Sequence, residues 1–152
     1  MTIDEALQEA IEHQKMNIDK EYEDSKFDVV SIFRYRGRIC VIVRVNFMTK
    51  YDGYPSYNGY VSFKKRRRWH LGQYEKSYER FSGLAHDGLT YDGYLGRQYK
   101  GRTGDLNLDI PEDRYFFGFD TLHSWNNAEN ASFDAVREKT IELADNMIKR
   151  RI

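Results

Sequence analysis

A single cysteine, Cys40, occurs in 152 residues, which excludes an intrachain disulfide framework and any zinc site built from several thiolates. A bound metal would therefore fall to histidine and carboxylate. No apolar run approaches the ~18 residues that a membrane span requires, and the first thirty residues are acidic and helical in pattern rather than an apolar signal segment. A soluble cytoplasmic protein with no membrane partner is the expectation. Also missing are a glycine-rich phosphate loop, a Gly-x-Ser-x-Gly elbow and a His-Glu-x-x-His helix, the usual carriers of nucleotide binding and of two hydrolytic chemistries. What remains suits one globular domain. Hydrophobic residues make up 40% of the chain and charged residues 32%, with a mean hydropathy of −0.79. That is too aromatic for a disordered tail and too polar for a membrane protein. A chain of this length buries roughly 68–70% of its extended surface around one core.

The formal net charge of zero hides an arrangement. Residues 1–33 carry nine Asp/Glu against three Lys, residues 34–103 carry fifteen Lys/Arg against five acids, and residues 104–152 carry ten acids against six bases. Terminal helices that neutralise a basic sheet within one fold are the ordinary explanation of this pattern. An anionic partner for the basic middle is the other.

One domain spanning 1–152 is expected, with a helical N-terminal extension over 1–26, a sheet with its loops over 27–131 and a C-terminal helix over 132–152. Thr2-Ile3-Asp4-Glu5 has the form of a capping box, in which the Thr2 hydroxyl accepts from the Glu5 amide while the Glu5 carboxylate reaches back. Ile3, Ala6, Leu7, Ala10 and Ile11 then recur at helical spacing as an apolar stripe. From Phe27 to Phe47 the chain turns β-branched and aromatic in two runs separated by Arg36-Gly37, which predicts a hairpin. Ile39, Val41, Val43 and Val45 should face the core, with Arg34, Arg36, Arg38 and Arg44 on a solvent face. Tyr51-Asp52-Gly53-Tyr54 and Tyr57-Asn58-Gly59-Tyr60 read as tight-turn chemistry leading into a strand from Tyr60 to Phe63. The first tetrad returns as Tyr91-Asp92-Gly93-Tyr94, which similar turn chemistry explains as well as an internal repeat does. Leu89 to Tyr94 and Tyr115 to Phe119 are further strand candidates, separated by a Gly-, Asp- and Asn-rich loop from Gly96 to Pro111. Ser132 opens the last helix, with Asp134 in its first turn, a buried stripe of Phe133, Val136, Thr140, Leu143, Ala144 and Met147, and Lys149, Arg150 and Arg151 at its negative end. The fold class is α+β, a mostly antiparallel sheet with a helix at each end.

Two constellations could carry chemistry. His70, His86 and His123 sit among glycines and turn residues, and Asp120-Thr121-Leu122-His123 follows an apolar run, so that its carboxylate and imidazole leave a strand end together. His70, His86, Asp120 and His123 make an acceptable tetrahedral zinc set without thiolate. Against this, Asp-x-x-His is common by chance, and a histidine beside a strand is more often hydrogen-bonded than metal-bound; His13, on the acidic N-terminal helix, reads as an ordinary surface or partly packed residue. The second constellation is Lys64, Lys65, Arg66, Arg67 and Arg68, followed by Trp69. Cations beside an aromatic are the ingredients of a surface that grips a nucleic-acid backbone and stacks a base, although a solvated charge run is the common alternative. Cys40, inside an apolar strand, reads as a buried small hydrophobe rather than a nucleophile.

Four segments, taken in order, resemble a family. Gly59-Tyr60-Val61, Trp69-His70-Leu71-Gly72-Gln73-Tyr74, His86-Asp87-Gly88-Leu89-Thr90-Tyr91 and Phe117-Gly118-Phe119-Asp120-Thr121-Leu122-His123, with a closing amphipathic helix, are similar to small phage and prophage proteins of unassigned role. The resemblance covers roughly residues 59–150. Leu71 stands where that family often has proline and Asp87 where it often has a glycine. The resemblance places the three histidines and Asp120 inside matching segments, which implies a shared metal site, and it implies a phage setting within a bacterial host. Small phage proteins without catalytic motifs often disable a host defence protein, anti-CRISPR proteins against Cas9 being one such class.

Three functions follow as expectations. The first is a non-enzymatic phage accessory protein in which a closed, four-ligand zinc site clamps the loops around His70, His86, Asp120 and His123, and which binds and inhibits a host defence protein, plausibly Cas9. The second is a metal-dependent hydrolase with three ligands, an activated water, and Asp87 or Asp92 as base. The third is a nucleic-acid-binding accessory protein that uses Lys64 to Arg68 with Trp69.

Overall fold

The structure is a computed structural model that describes residues 2–11, 26–46, 53–65, 81–85, 88–103, 106, 108–121 and 127–152. The long β-branched stretch folds back on itself as expected. Strand β1 (Phe27–Tyr35) pairs antiparallel with β2 (Arg38–Val45) across Arg36-Gly37, where Tyr35 meets Arg38. Both turn residues have positive φ, 48° at Arg36 and 79° at Gly37. That is the twist a two-residue hairpin turn needs, and it is why glycine stands second. Strands β3 (Ser56–Phe63), β4 (Tyr91–Gly93) and β5 (Tyr115–Phe119) complete a five-stranded, wholly antiparallel sheet in the order β1-β2-β3-β5-β4.

β3 begins earlier than its sequence suggests. Tyr57-Asn58-Gly59-Tyr60, read above as turn chemistry, is the middle of a strand paired on both sides, Asn58 with Val43 and Gly59 with both Ile42 and Phe119. The glycine serves packing rather than turning. Thr140 Oγ1 and the Phe119 ring occupy the space a Cβ on Gly59 would need.

Helix α1 covers residues 3–11. Its capping box forms in both directions, Glu5 N donating to Thr2 Oγ1 at 3.1 Å and Thr2 N to Glu5 Oε2 at 3.2 Å. A short α2 (Leu95–Gln98) lies between β4 and β5, and α3 (Phe133–Lys149) closes the chain. Ser132 caps α3 as predicted, its hydroxyl accepting from Ala135 N. Val136, Thr140, Leu143, Ala144 and Met147 are buried along one side.

The sheet differs from the expectation in having two covered faces. On one, Cys40, Ile42, Val61, Phe117 and Phe119 pack under α3 and under Phe81 and Leu84. On the other, Val29, Ile39, Val41, Val43, Tyr60 and Phe116 are covered by Leu95, Tyr99 and Ile110. The Gly96–Pro111 stretch, expected as a long loop, thus supplies the lid of a second core layer. β2 is consequently buried along both faces, as a strand sandwiched between two layers must be. Arg34 and Arg36 remain exposed, whereas Arg38 and Arg44 are half-buried; Arg44 pairs with Asp28 at 2.8 Å. Burial pushes the Cys40 thiol up to about 12, which leaves it protonated and supports its reading as a small hydrophobe.

Candidate functional site

The antiparallel register brings one end of four strands, β1, β2, β3 and β5, and the end of the last helix together. Arg36 lies in the β1–β2 turn and Arg38 just after it; Phe63 at the end of β3 pairs with Tyr115 at the start of β5, which sets Lys64 and Lys65 beside Arg114. The segment after α3 reaches the same place, the Arg38 guanidinium donating to the Ile152 carbonyl oxygen and to the Ser62 carbonyl at 3.2 Å. The result is an open groove of about 630 Å³ walled by Arg36, Arg38, Lys64, Lys65, Arg114 and Arg151, with no acidic side chain among the described residues of its lining. Burial, and then the neighbouring Arg36 charge, pull Arg38 below the usual guanidinium range. Arg36 is ion-paired with Asp145 at 3.0 Å, and the cluster as a whole keeps an excess of cations that is complementary to an anion.

The groove continues into a second chamber of about 500 Å³. The two share Phe63, Lys64, Lys65 and Arg114, and the second adds Tyr94, Tyr115 and Asp113. Its aromatic side is held rigidly. The Tyr115 hydroxyl donates to Asp92 Oδ1 at 2.9 Å, its ring meets Tyr94 edge-on at 4.8 Å and Phe63 at 5.6 Å, and Lys65 Nζ lies 5.2 Å from its centroid. Arg97 covers one face of Tyr94 at 4.0 Å. Burial first, and the bond to Asp92 second, push the Tyr115 hydroxyl upward, so it stays a donor at neutral pH. Asp92, considered above as a hydrolytic base, is thereby committed to the aromatic wall.

Of the basic run, Lys64 and Lys65 line both chambers and are exposed. Arg66, Arg67, Arg68 and Trp69 lie outside the described residues, as do His70, His86, Asp87 and His123. Four groove cations went unassigned in the sequence. Arg36 and Arg38 read as the solvent side of a hairpin and Arg151 as a helix-end charge, while nothing singled out Arg114, because no local pattern links positions spread over more than a hundred residues.

Asp120, the described member of the expected zinc set, sits half-buried just past β5 in a separate small cavity of about 10 Å³. Ala85 and Thr121 line that cavity with it, alongside Glu142 and Lys139 of α3. Thr121 is fastened through its hydroxyl to the Tyr57 carbonyl at 2.9 Å. Ala85 directly precedes His86, and Thr121 stands two positions before His123. Among the described residues no group of three or more His, Cys, Asp or Glu is arranged to hold a metal ion. No described helix is long and apolar enough to cross a membrane. No family model, curated protein or solved structure matches the chain.

Proposed function

We propose that this protein binds nucleic acid through the basic groove, gripping the phosphate backbone. The observation that carries the proposal is the convergence of six cationic side chains from four parts of the chain on one groove, with no carboxylate among the described residues that line it. Phosphate oxygens are the acceptors such a surface suits, and Arg forks bind them bidentately where Lys acts as a point charge. The chain's zero net charge does not oppose this, since the acids that balance it lie mainly in the terminal segments. The test is fluorescence anisotropy with labelled oligonucleotides across a salt series. Engagement of four to six phosphates predicts a log-log slope of about −3 to −5. Absence of binding at low salt overturns the proposal.

A second reading is the zinc-clamped inhibitor of a host defence protein, for which two observations speak. Ala85, which directly precedes His86 in sequence, lines a cavity together with Asp120. Helix α1, for its part, is capped at its N-terminus yet leaves Ile3, Leu7 and Ile11 88%, 60% and 51% exposed, an apolar stripe on an acidic helix of the kind that protein partners bury. In this reading His70, His86, Asp120 and His123 hold the ion and the ion braces the loops. Elemental analysis of protein purified without a metal-affinity tag should give about one zinc per chain, lost in His86→Ala and His123→Ala together with several degrees of melting temperature. Protein without stoichiometric metal, melting unchanged by chelator, overturns it. Direct titration against purified Cas9, comparing wild type with Leu7→Glu, tests the partner.

A further inference from the structure

The two chambers of the groove differ in chemistry, and the difference bears on which nucleic acid fits. The first is lined by cations alone among its charged groups, which suits phosphate. Past the shared wall of Phe63, Lys64, Lys65 and Arg114, the second presents two tyrosines and the exposed carboxylate of Asp113. A carboxylate repels phosphate; it accepts hydrogen bonds and offers no donor when ionised. Its volume of about 500 Å³ falls within the ~300–1,000 Å³ range of small-molecule pockets. The Tyr94 ring, with Arg97 over one face and the Tyr115 ring perpendicular to it at 4.8 Å, forms part of the aromatic side of that chamber.

Building on the nucleic-acid reading above, we infer that the groove takes a single-stranded nucleic acid with one guanine seated in the second chamber against Asp113, its neighbouring phosphates lying among the cations of the first. Guanine is selected because its N1–H and N2–H donors stand side by side and match the two oxygens of one carboxylate. Cytosine and adenine offer one amino group beside an acceptor nitrogen. Thymine and uracil offer one imino donor between two carbonyls that face the carboxylate unfavourably. The strand must be single because pairing occupies both guanine donors in a duplex. Lys64, Lys65 and Arg114 border both chambers, so a base and its own backbone can be held at once.

The experiment compares, by anisotropy at fixed salt, a twelve-nucleotide oligo-thymidine with the same strand carrying one central guanine, adenine or cytosine, and with the guanine strand annealed to its complement. The guanine strand should bind about tenfold more tightly than the thymidine strand, within the discrimination that a bidentate side-chain–base pair supplies. Asp113→Asn should abolish that preference without weakening the thymidine strand, since it removes a charge that repels phosphate; Asp113 is exposed in a turn, so the variant should fold. Equal affinity for all four strands, or equal or tighter binding of the duplex, overturns the guanine seat and leaves backbone binding intact. Failure of every strand to bind at low salt overturns the nucleic-acid reading itself.

Discussion

Gly59 shows how much one side chain's absence can decide. It lies in the central strand, where α3 comes close enough that Thr140 Oγ1 and Phe119 fill the position of a Cβ. Gly59→Ala should therefore destabilise the protein by about 1–3 kcal/mol, the usual cost of overpacking a core, read as a shift in denaturant midpoint at constant m-value. In the sequence, Asn58-Gly59 is indistinguishable from a hairpin turn, since the reason for the glycine comes from residues sixty to eighty positions away. Arg38 is a similar case. Its place in an alternating strand suggested solvent, yet its guanidinium is bonded to the Ser62 carbonyl and to the Ile152 carbonyl oxygen and lines the groove.

At the scale of elements, the Leu95–Gln98 helix and the segment leading to Ile110 close the second sheet face over a group of tyrosines. Tyr60 packs edge-on to Tyr91 at 5.2 Å, and Tyr99 is almost wholly buried beside them. Burial raises all three hydroxyls, Tyr91 and Tyr99 to about 12 and Tyr60 further still. In the unfolded chain they ionise near the ordinary value of 10.0. A raised folded value means that the neutral hydroxyl is the form the fold favours. Its stabilising contribution is complete below pH 10 and is lost as pH rises toward 12. Tyrosinate absorbance should accordingly appear in two phases, exposed tyrosines first and these three only together with the loss of far-ultraviolet circular dichroism. A single phase near 10 with intact dichroism would show that the second layer does not exclude water. On the opposite side, α3 is held to the hairpin turn by Asp145, which accepts from the Tyr35 hydroxyl at 2.9 Å and from Arg36 at 3.0 Å. Those bonds, Tyr35 first, keep its carboxyl below the usual carboxylate range, so this link weakens only as pH falls below 3.8 toward that depressed value.

Over the whole molecule, the charge pattern of the sequence acquires a shape. Four cations of the basic middle, Arg36, Arg38, Lys64 and Lys65, meet at one end of the sheet, joined there by Arg114 and Arg151 from the acidic last third of the chain. Reversing Lys64 and Arg114 together to Glu should lower affinity for every oligonucleotide by a similar factor and reduce the salt slope by about 2. A loss confined to one sequence would place these two residues against a base rather than the backbone. Because both side chains are exposed and, among the described residues, neither has a carboxylate partner, thermal stability should hold. The α+β class, the β1–β2 hairpin and the capped, striped last helix were all legible in advance. Each rests on neighbours within a turn or a few residues: two adjacent positive-φ positions, a hydroxyl three residues from the amide it caps, apolar side chains every third or fourth place.

The sequence alone therefore determined the β1–β2 hairpin, the caps of α1 and α3 and which face of α3 would be buried, since those follow from backbone hydrogen bonding and side-chain periodicity within a short span. It also marked Lys64 and Lys65 as part of a charge run. Only the tertiary structure decided that the sheet is covered on both faces, that Asn58-Gly59 is strand, and that Arg36, Arg38, Arg114 and Arg151 join those lysines around one groove with Asp113 and Tyr94 next door. Strand order and register set those neighbours, and register is chosen by the summed burial of both sheet faces, a sum over residues far apart in the chain.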